Sequence, residues 1–327
     1  MILKDEILAI LTNKRDQYVS GEYLADHFNV TRSAVWKITK KLQEQGYDIS
    51  AVRNRGYCLQ SDSDILSAVS INNFRSSDFP LDIRVYDTVD STNEVLKRAA
   101  LAENAAEGTV VTAEEQIAGK GRKGRSFFSP SKTGIYLSIL LRPDFPAKTA
   151  SLLTIAAAEA SAEAIEVTFN ISPDIKWVND LYLQGRKIGG ILTEASMSVE
   201  NDMLDYVIIG IGINLCFPEN GFPYEINEIA GAVFPSFKKN INQRNRLIAS
   251  VLDRFFYYYK HIEAHDFIDA YRKRLFFLGE KIEIIDSGKK RTVTAVDITD
   301  ECHLIVEDEK GKTAVLNSGE ISIKIKE

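Results

Sequence analysis

Apolar residues recur at helical spacing from the start of the chain: Leu3, Ile7, Leu8, Ile10 and Leu11 form one stripe. Ser20 stands where an N-cap belongs, ahead of a short helix that buries Leu24, Ala25 and Phe28. Asn29-Val30 turns the chain, and Thr31 caps a third helix with Ala34, Val35, Ile38 and Leu42 inward. That spacing leaves Arg32, Ser33, Trp36, Lys37 and Lys40 outward near the helix start. Beyond Gly46 the period drops to two: Tyr47–Val52 and Tyr57–Leu59 flank Arg53-Asn54-Arg55-Gly56, a β-hairpin with a basic tip. Helix, turn, helix and basic hairpin in this order is a winged helix-turn-helix, whose second helix enters the major groove while Arg53 and Arg55 reach phosphates. The competing reading is a small helical protein-interaction module with a solvated basic face; the hairpin tips the balance toward DNA. Ser61-Asp-Ser-Asp64 reads as a polar linker.

The middle of the chain alternates differently. Asp87–Glu94 precedes a helix carrying Val95, Leu96, Ala99 and Ala100, and Ser91 with Glu94 fits a capping box. Gly134–Leu141 reads as a strand. Asp174–Leu183 reads as strand, turn and strand, with Asn179-Asp180 as the turn. Gly185–Glu194 and Val207–Asn214 are glycine-bearing strands, where either a ligand or another backbone comes close. Arg244–Lys260 places Leu247, Ile248, Val251, Leu252 and Phe255 at helical spacing, so the run Phe255–Tyr259 belongs to core packing rather than to a base-stacking platform. From Leu278, short alternating segments with turns at Asp286-Ser-Gly288, Thr299-Asp300 and Glu309-Lys-Gly311 predict a small β-barrel.

Composition bounds the answer. With 327 residues, 45% hydrophobic and 26% charged, the chain is an ordinary globular protein. At about 150 residues per domain it holds two or three. Disorder, collagen-like repeats and a disulfide scaffold are excluded. The net charge of -6 argues against a nucleic-acid binder taken whole, but residues 1–60 hold nine Lys/Arg against seven Asp/Glu, and the remainder 31 against 39. The first segment is thus +2 on a -8 body, a local basic footprint on an acidic chain. Cys58, Cys216 and Cys302 lie far apart and read as free thiols of a reducing cytoplasm. His261 and His265, spaced i, i+4 on an expected helix, lack the adjoining Glu of a zinc-protease motif, and no metal site is assigned. No segment is long and apolar enough to span a bilayer, and no secretory core follows Lys4-Asp5-Glu6, so neither a membrane association nor export is expected.

The segment Gly119-Lys-Gly-Arg-Lys-Gly-Arg125 matches G-x-G-x-x-G, yet it runs into a second strand instead of opening a helix, so the dinucleotide reading fails on context. No Walker A loop exists. What remains is a glycine loop with Lys120, Arg122, Lys123 and Arg125, suited to a polyanion and to charge developing at a phosphoryl centre. Lys176, expected on a buried strand beside Trp177, needs an anionic partner, either a structural carboxylate or a substrate phosphate or carboxylate. Asp180 is a weak metal-ligand candidate.

Asp90-Ser-Thr-Asn93, Glu115-Gln116, the loop 119–125, Lys176-Trp-Val-Asn-Asp180, Gly189-Gly-Ile-Leu-Thr-Glu194 and Gly210-Ile-Gly-Ile-Asn214, in this order, resemble the bacterial bifunctional biotin–protein ligases that are also biotin operon repressors. The resemblance spans nearly the whole chain. It implies an α+β multidomain protein: a winged helix-turn-helix over 1–62, a mixed α/β catalytic domain of class II synthetase/biotin ligase type over 63–274, and an SH3-like β-barrel over 275–327. It implies that ATP and biotin form biotinyl-5′-adenylate, with Mg2+ accompanying ATP, and that biotin passes to a lysine of the biotin carboxyl carrier domain of acetyl-CoA carboxylase. It assigns Ser91, Thr92, Asn93 and Gln116 to the biotin ureido end, Lys120, Gly121 and Arg122 to the loop over the adenylate, Lys176 and Arg122 to catalysis, and Gly190 and Asn214 to the same pocket. It further implies that the adenylate-loaded form is a homodimer on two-fold operator DNA. Lys120 stands at the loop position that is commonly Arg, Val178 where Pro is usual, and Glu228–Phe234 where many members carry a small-hydroxyl motif. The competing readings are a non-enzymatic sensor of an acyl-adenylate and a lipoate-transferring ligase on a similar fold.

Overall fold

The structure, a computed structural model, describes residues 3–60, 64–146, 149–197, 204–235, 243–286, 289–317 and 321–322. It divides into two compact units, Met1–Asp78 with Lys238–Ser250, and Phe79–Phe237 with Val251–Glu327.

The first unit is built on α1 (Leu3–Asn13), α2 (Gly21–His27), α3 (Arg32–Glu44), the hairpin β1 (Ile49–Val52) and β2 (Gly56–Leu59), and α4 (Ala68–Phe74). Ile7, Leu8, Leu11, Leu24, Val35, Leu42, Ile49 and Leu59 form its core. Both expected caps are present: Ser20 Oγ accepts from the Glu22 and Tyr23 amides, and Thr31 Oγ1 from the Ala34 amide. Arg32, Ser33, Trp36, Lys37 and Lys40 face outward, as the spacing requires. The inner face of α3 differs in detail. Ala34 and Ile38 are only half-buried, while Thr39 is buried, its hydroxyl turned back to the Val35 carbonyl at 3.1 Å. That back-bond removes the hydroxyl's need for water, so a polar residue substitutes for the expected apolar one.

The supposed linker needs correction. Ser61, Asp62 and Ser63 lie outside the described residues, and Asp64 is no linker residue. Its carboxylate accepts from Arg244 Nε at 2.5 Å and its carbonyl from Arg244 Nη2 at 2.6 Å, with the Arg244 side chain 1% exposed. Beside it, Asn245 accepts from the Ser67 amide at 3.0 Å and donates to the Ile65 carbonyl at 2.8 Å. A distant segment of sequence is thereby stitched into this unit.

In the second unit a seven-stranded sheet runs β3 (Asp82–Val89), β4 (Thr109–Gln116), β5 (Gly134–Leu141), β9 (Leu204–Asn214), β8 (Arg186–Met197), β7 (Asp180–Leu183), β6 (Asp174–Lys176). Among the described strands of this sheet, only β3 and β4 pair in parallel. They are joined across one face by α5 (Thr92–Ala102), whose Leu96, Ala99 and Ala100 pack on Val111, Leu140, Tyr206 and Ile208. The alanine-rich α6 (Ala150–Phe169) covers the other face, where Thr154 and Thr193 share a 2.7 Å hydrogen bond. Directly opposed residues in antiparallel strands share a face. The register aligns Tyr136, Gly212, Gly190, Asp180 and Lys176 in one row on the α5 side. The turn before β7 is Trp177–Asn179 rather than Asn179-Asp180, because Asp180 already pairs with Lys176.

Next follow α7 (Arg244–Lys260) and α8 (Ile268–Arg274). On α7, Leu247, Ile248, Val251, Leu252 and Phe255 are fully buried and Phe256 and Tyr258 nearly so, which bears out the core reading for these members of the aromatic run, whereas Tyr257 is exposed. His261 and His265 do not share a helix: α7 stops at Lys260 and His265 has φ 58°. Last comes a five-stranded antiparallel sheet in the order β13 (Thr313–Leu316), β12 (Leu304–Glu307), β11 (Lys289–Ile298), β10 (Lys281–Asp286), β14 (Ile321–Ser322). Of the turn Asp286–Gly288, residues 287 and 288 lie outside the described residues. All three cysteines are free and buried.

Replacing Arg244 by Ala takes from the Asp64 carboxylate, itself only 10% exposed, the buried guanidinium that pairs with it. The expected cost is about 3–5 kcal/mol of stability. Denaturant titration checks it, and a loss below ~1 kcal/mol would show that the pair is not a fastener.

Candidate active site

The site grows from the absence of two side chains on β9. A Cβ on Gly210 would lie 2.3 Å from Asn93 Oδ1, and one on Gly212 would lie 2.6 Å from the Phe127 ring. Hydrogen in place of a side chain lets the start of α5 and the loop residue Phe127 lie directly against the sheet. They border a pocket that is partly open to solvent. Its walls are Ser91, Thr92 and Asn93 from the helix start, Gln116 from the end of β4, Lys120 and Phe127 from the glycine loop, and Gly190, Leu192, Gly210, Ile211 and Gly212 from β8 and β9.

A chain of hydrogen bonds fixes the polar end. Asn93 Nδ2 donates to Glu194 Oε2 at 2.7 Å, and Ser138 Oγ donates to Asn93 Oδ1 at 2.6 Å. Ser138 Oγ also lies 2.7 Å from Thr92 Oγ1. Gln116 Oε1 accepts from the Thr92 amide at 2.9 Å, while Gln116 Nε2 donates to Ser129 Oγ at 2.8 Å. Ser91, Thr92, Asn93 and Ser138 are all buried. Buried donors and acceptors fixed this way present a rigid pattern to a polar ligand.

The expected capping box is not formed. Ser91 is the N-cap of α5 by backbone conformation, but its side chain makes no cap bond. The helix-end amides are taken instead by Gln116, at Thr92, and by Asp90 Oδ1, which accepts from the Ser91 amide at 2.8 Å. Arg98 grips the Asp90 carboxylate at 2.6 and 3.0 Å and holds it at about 2. Glu94 turns to the loop and pairs with the Lys120 ammonium, whose hydrogen bond pulls the Glu94 carboxyl below its ordinary range. A charged partner outcompetes a backbone amide for that carboxylate.

The glycine loop runs out and back. Phe127 donates to the Gly119 carbonyl at 2.8 Å and Gly121 to the Arg125 carbonyl at 2.7 Å. Arg122 Nη1 donates to Asn179 Oδ1 at 2.8 Å, and Asn179 Nδ2 to the Ile191 carbonyl at 2.8 Å. The turn carrying Asn179 is fastened further by Trp177 Nε1 to the Cys302 carbonyl, 2.9 Å, and by Tyr271 Oη to the Val178 carbonyl, 3.0 Å. The Trp177–Val178 peptide is cis. Lys176 itself is half-buried rather than buried, with Nζ 5.7 Å from the centre of the Tyr182 ring, whose phenol burial raises to about 12. Asp180 is ion-paired to Lys187 at 2.6 Å.

Three family models match the chain: an HTH domain over residues 4–58, the biotin/lipoate A/B protein ligase family over 85–214, and the biotin protein ligase C-terminal domain over 277–324. The bifunctional ligase/repressor BirA of Bacillus subtilis is 32% identical over 315 residues, covering 94% of this chain and 95% of the relative. The chain belongs to the bifunctional ligase/repressor family of biotin protein ligases. The Escherichia coli member is 32% identical over 211 residues, 64% of this chain and 63% of its own. Among solved structures, a biotin protein ligase from Aquifex aeolicus in complex with biotin and ATP superposes with TM-score 0.59 at 26% identity, over 74% of this chain and 97% of that one.

Among the residues expected from the sequence, Ser91, Thr92, Asn93, Gln116, Lys120 and Gly190 line the pocket together. Arg122 and Lys176 do not line it, nor does Gly121, and Asn214 holds the Gly231 carbonyl at 3.0 Å. Sequence reasoning missed Phe127, Leu192, Ser138 and Glu194 as site residues. Leu192 and Glu194 sit inside a quoted motif, and their alternation with Gly190 on β8 marks them for the same face; Phe127 and Ser138 carry no such signal. Among the described residues no group of three or more His, Cys, Asp or Glu side chains is placed to hold a metal ion.

In the first unit, Arg32, Ser33, Trp36, Lys37, Lys40, Arg53 and Arg55 are all exposed. Lys40 Nζ stands 5.2 Å over the Trp36 ring and the Arg55 guanidinium 4.1 Å over Tyr18.

Gly210→Ala drives a methyl into the Asn93 amide. Calorimetry on the purified variant is expected to show biotin affinity reduced by about tenfold or more. Unchanged affinity would mean that the Asn93 network does not shape the pocket.

Proposed function

We propose that this member of the ligase/repressor family makes biotinyl-5′-adenylate from biotin and ATP in the pocket beside α5, transfers biotin to a carrier lysine, and represses biotin genes when loaded. The observation that carries the reading is one sheet face with a fixed polar pattern at one end, Ser91 to Asn93 with Gln116, and cations toward the other, Lys120 in the wall and Lys176 in the row through Gly190 and Gly212.

The polar end suits a ureido group, which offers one carbonyl acceptor and two N–H donors to hydroxyls and carboxamides. Leu192, Phe127 and the glycine backbone suit its apolar rings and chain. Held there, biotin's carboxylate points toward Lys176 and the loop. One carboxylate oxygen forms a bond to the α-phosphorus, the bond to the β-phosphate oxygen breaks, and pyrophosphate leaves. Two anions must approach for this, and Lys176 and Arg122 lower their repulsion and the charge on the phosphoryl oxygens. Lys120, Gly121 and Arg122 then close over the mixed anhydride and exclude water. In the second step the carrier lysine's amine attacks the acyl carbon, AMP leaves, and the amine's proton goes to solvent. Asn214 supports the adenylate side of the pocket by holding the 228–234 segment. Lys120 keeps the charge of the usual Arg but lacks its planar fork. Mg2+ enters with ATP; the described residues offer it no cluster of ligands, and none is assigned.

For the DNA half, the exposed face of α3 (Arg32, Ser33, Trp36, Lys37, Lys40) meets the major groove and Arg53 and Arg55 at the hairpin tip meet phosphates. We take the functional parts to be 1–62, 63–274 and 275–327, with 64–78 and the start of α7 packed in the first compact unit. The loaded form dimerises, its two-fold symmetry matching paired half-sites. The carrier domain of acetyl-CoA carboxylase and operator DNA as partners imply a cytoplasmic protein, and no helix among the described residues is long and apolar enough to cross a membrane.

Purified protein is expected to catalyse ATP–pyrophosphate exchange that depends on biotin and is not competed by lipoate. Absence of exchange leaves the sensor reading, and competition by lipoate the lipoyl one. Lys176→Ala is expected to slow adenylate formation by about 10²–10³-fold, read in single-turnover assays; a near-normal rate refutes its role. Arg122→Gly is expected to release free biotinyl-adenylate into solution, and full retention of the intermediate counts against the loop assignment.

A further inference from the structure

The basic hairpin of the first unit is docked, not merely tethered. The chain between α1 and α2 runs beside β2: the Val19 amide donates to the Tyr57 carbonyl at 2.8 Å, and the Tyr57 amide to the Val19 carbonyl at 2.9 Å. Gly56 permits this approach. Its φ is +105°, and a Cβ there would lie 2.0 Å from the Val19 carbonyl oxygen. The hairpin tip is thereby set against the residue just before, Tyr18. The Arg55 guanidinium carbon stands 4.1 Å from the centre of the Tyr18 ring, the closest cation–ring contact among the described residues. Tyr18 is half-buried and Arg55 is exposed.

We propose that Tyr18 is a positioning residue for DNA binding: its ring holds Arg55 at the wing tip so that the guanidinium meets a backbone phosphate with its orientation already set. The proposal rests on the repressor reading. An unrestrained arginine loses rotamer freedom when it engages a phosphate, and stacking removes part of that loss beforehand. The partner is a neutral aromatic face, so the guanidinium keeps its charge and its donors for the phosphate. A planar guanidinium can stack on a ring and still present a fork of donors, whereas an ammonium over a ring is a point charge of no fixed orientation, which favours arginine at position 55. Arg53, at the other side of the tip, is exposed and makes no such contact.

The test measures binding of the full chain, with biotin and ATP, to a labelled duplex that the wild-type chain itself selects from a random pool, across a salt series. Tyr18→Phe is expected to bind as wild type, because the ring remains. Tyr18→Leu is expected to weaken binding about three- to fivefold with the salt slope unchanged. Arg55→Lys is expected to lose by the same factor with the slope unchanged, and serves in place of Tyr18→Leu if that variant fails to fold. Arg55→Ala is expected to flatten the salt slope by about one unit, and adding Tyr18→Leu to it is expected to cost nothing more. Wild-type binding by both Tyr18→Leu and Arg55→Lys would overturn the proposal, as would a full additional loss in the double variant or an equal loss in Tyr18→Phe. A wild-type chain that selects and binds no duplex with biotin and ATP present would overturn the repressor reading, and this proposal with it.

Discussion

A helix end can rest directly on a sheet only where the sheet has no side chain to hold it off, and the catalytic half of this protein depends on that constraint at Gly210. The 2.3 Å between Asn93 Oδ1 and the place of a Cβ leaves no room for any other residue. Once α5 sits there, Asn93 reaches Glu194 on β8 and Ser138 on β5, and Thr92 reaches Gln116 at the end of β4. Four elements far apart in sequence are thereby locked at one point. The start of α5 needs no cap from Ser91 because Gln116 of β4 and the preceding Asp90 accept from its amides. Glu94, released from capping, is left to hold the loop cation Lys120.

The same logic explains which parts were legible in the sequence. Elements with strong local signals read correctly: the stripe of α1, the caps Ser20 and Thr31, and the short apolar runs of β5 and β9, which are buried almost throughout. The burial of Phe255, Phe256 and Tyr258 on α7 read correctly because five consecutive ring-bearing residues point all round one helix, and the same geometry leaves Tyr257 exposed. Local signals failed where a tertiary partner won. Ser91 and Glu94 carried the sequence of a capping box, but Gln116 and Asp90 accept the amides at the helix start and Lys120 draws Glu94 away. Asp64 looked like linker until Arg244, a remote residue, claimed its carboxylate. Lys176 looked like a buried lysine in need of an anion, yet it is half-buried and stands over Tyr182. No short window of sequence contains those partners.

The site itself was legible in most of its polar members, Ser138 and Glu194 excepted, and not in its apolar ones. Hydroxyls, carboxamides and clustered cations stand out against an ordinary background, so Ser91, Thr92, Asn93, Gln116 and Lys120 were found. Phe127 and Leu192 are indistinguishable from core residues until the register is known. The pairing Gly190 to Gly212 and Leu192 to Gly210 then shows that large and absent side chains are placed together to make a slot.

The charge distribution follows from how the cations are held. Arg122 donates to the neutral Asn179 amide, Arg55 lies on Tyr18 and Lys40 over Trp36. A carboxylate partner would fix these side chains as firmly but would cancel the field they present to an incoming phosphate; a neutral amide or ring fixes the geometry and leaves the field intact. Lys187, paired with Asp180 inside the sheet row, and Arg244, paired with Asp64, are fixed by carboxylates and serve the fold. Lys120 stands between the two classes: Glu94 takes one of the three donors of its ammonium, so it fastens the loop while still facing the pocket. A chain with net charge -6 can therefore attract polyanions at two separate places. Affinity for phosphate depends on which cations are held by neutral partners, and the total charge says nothing about that.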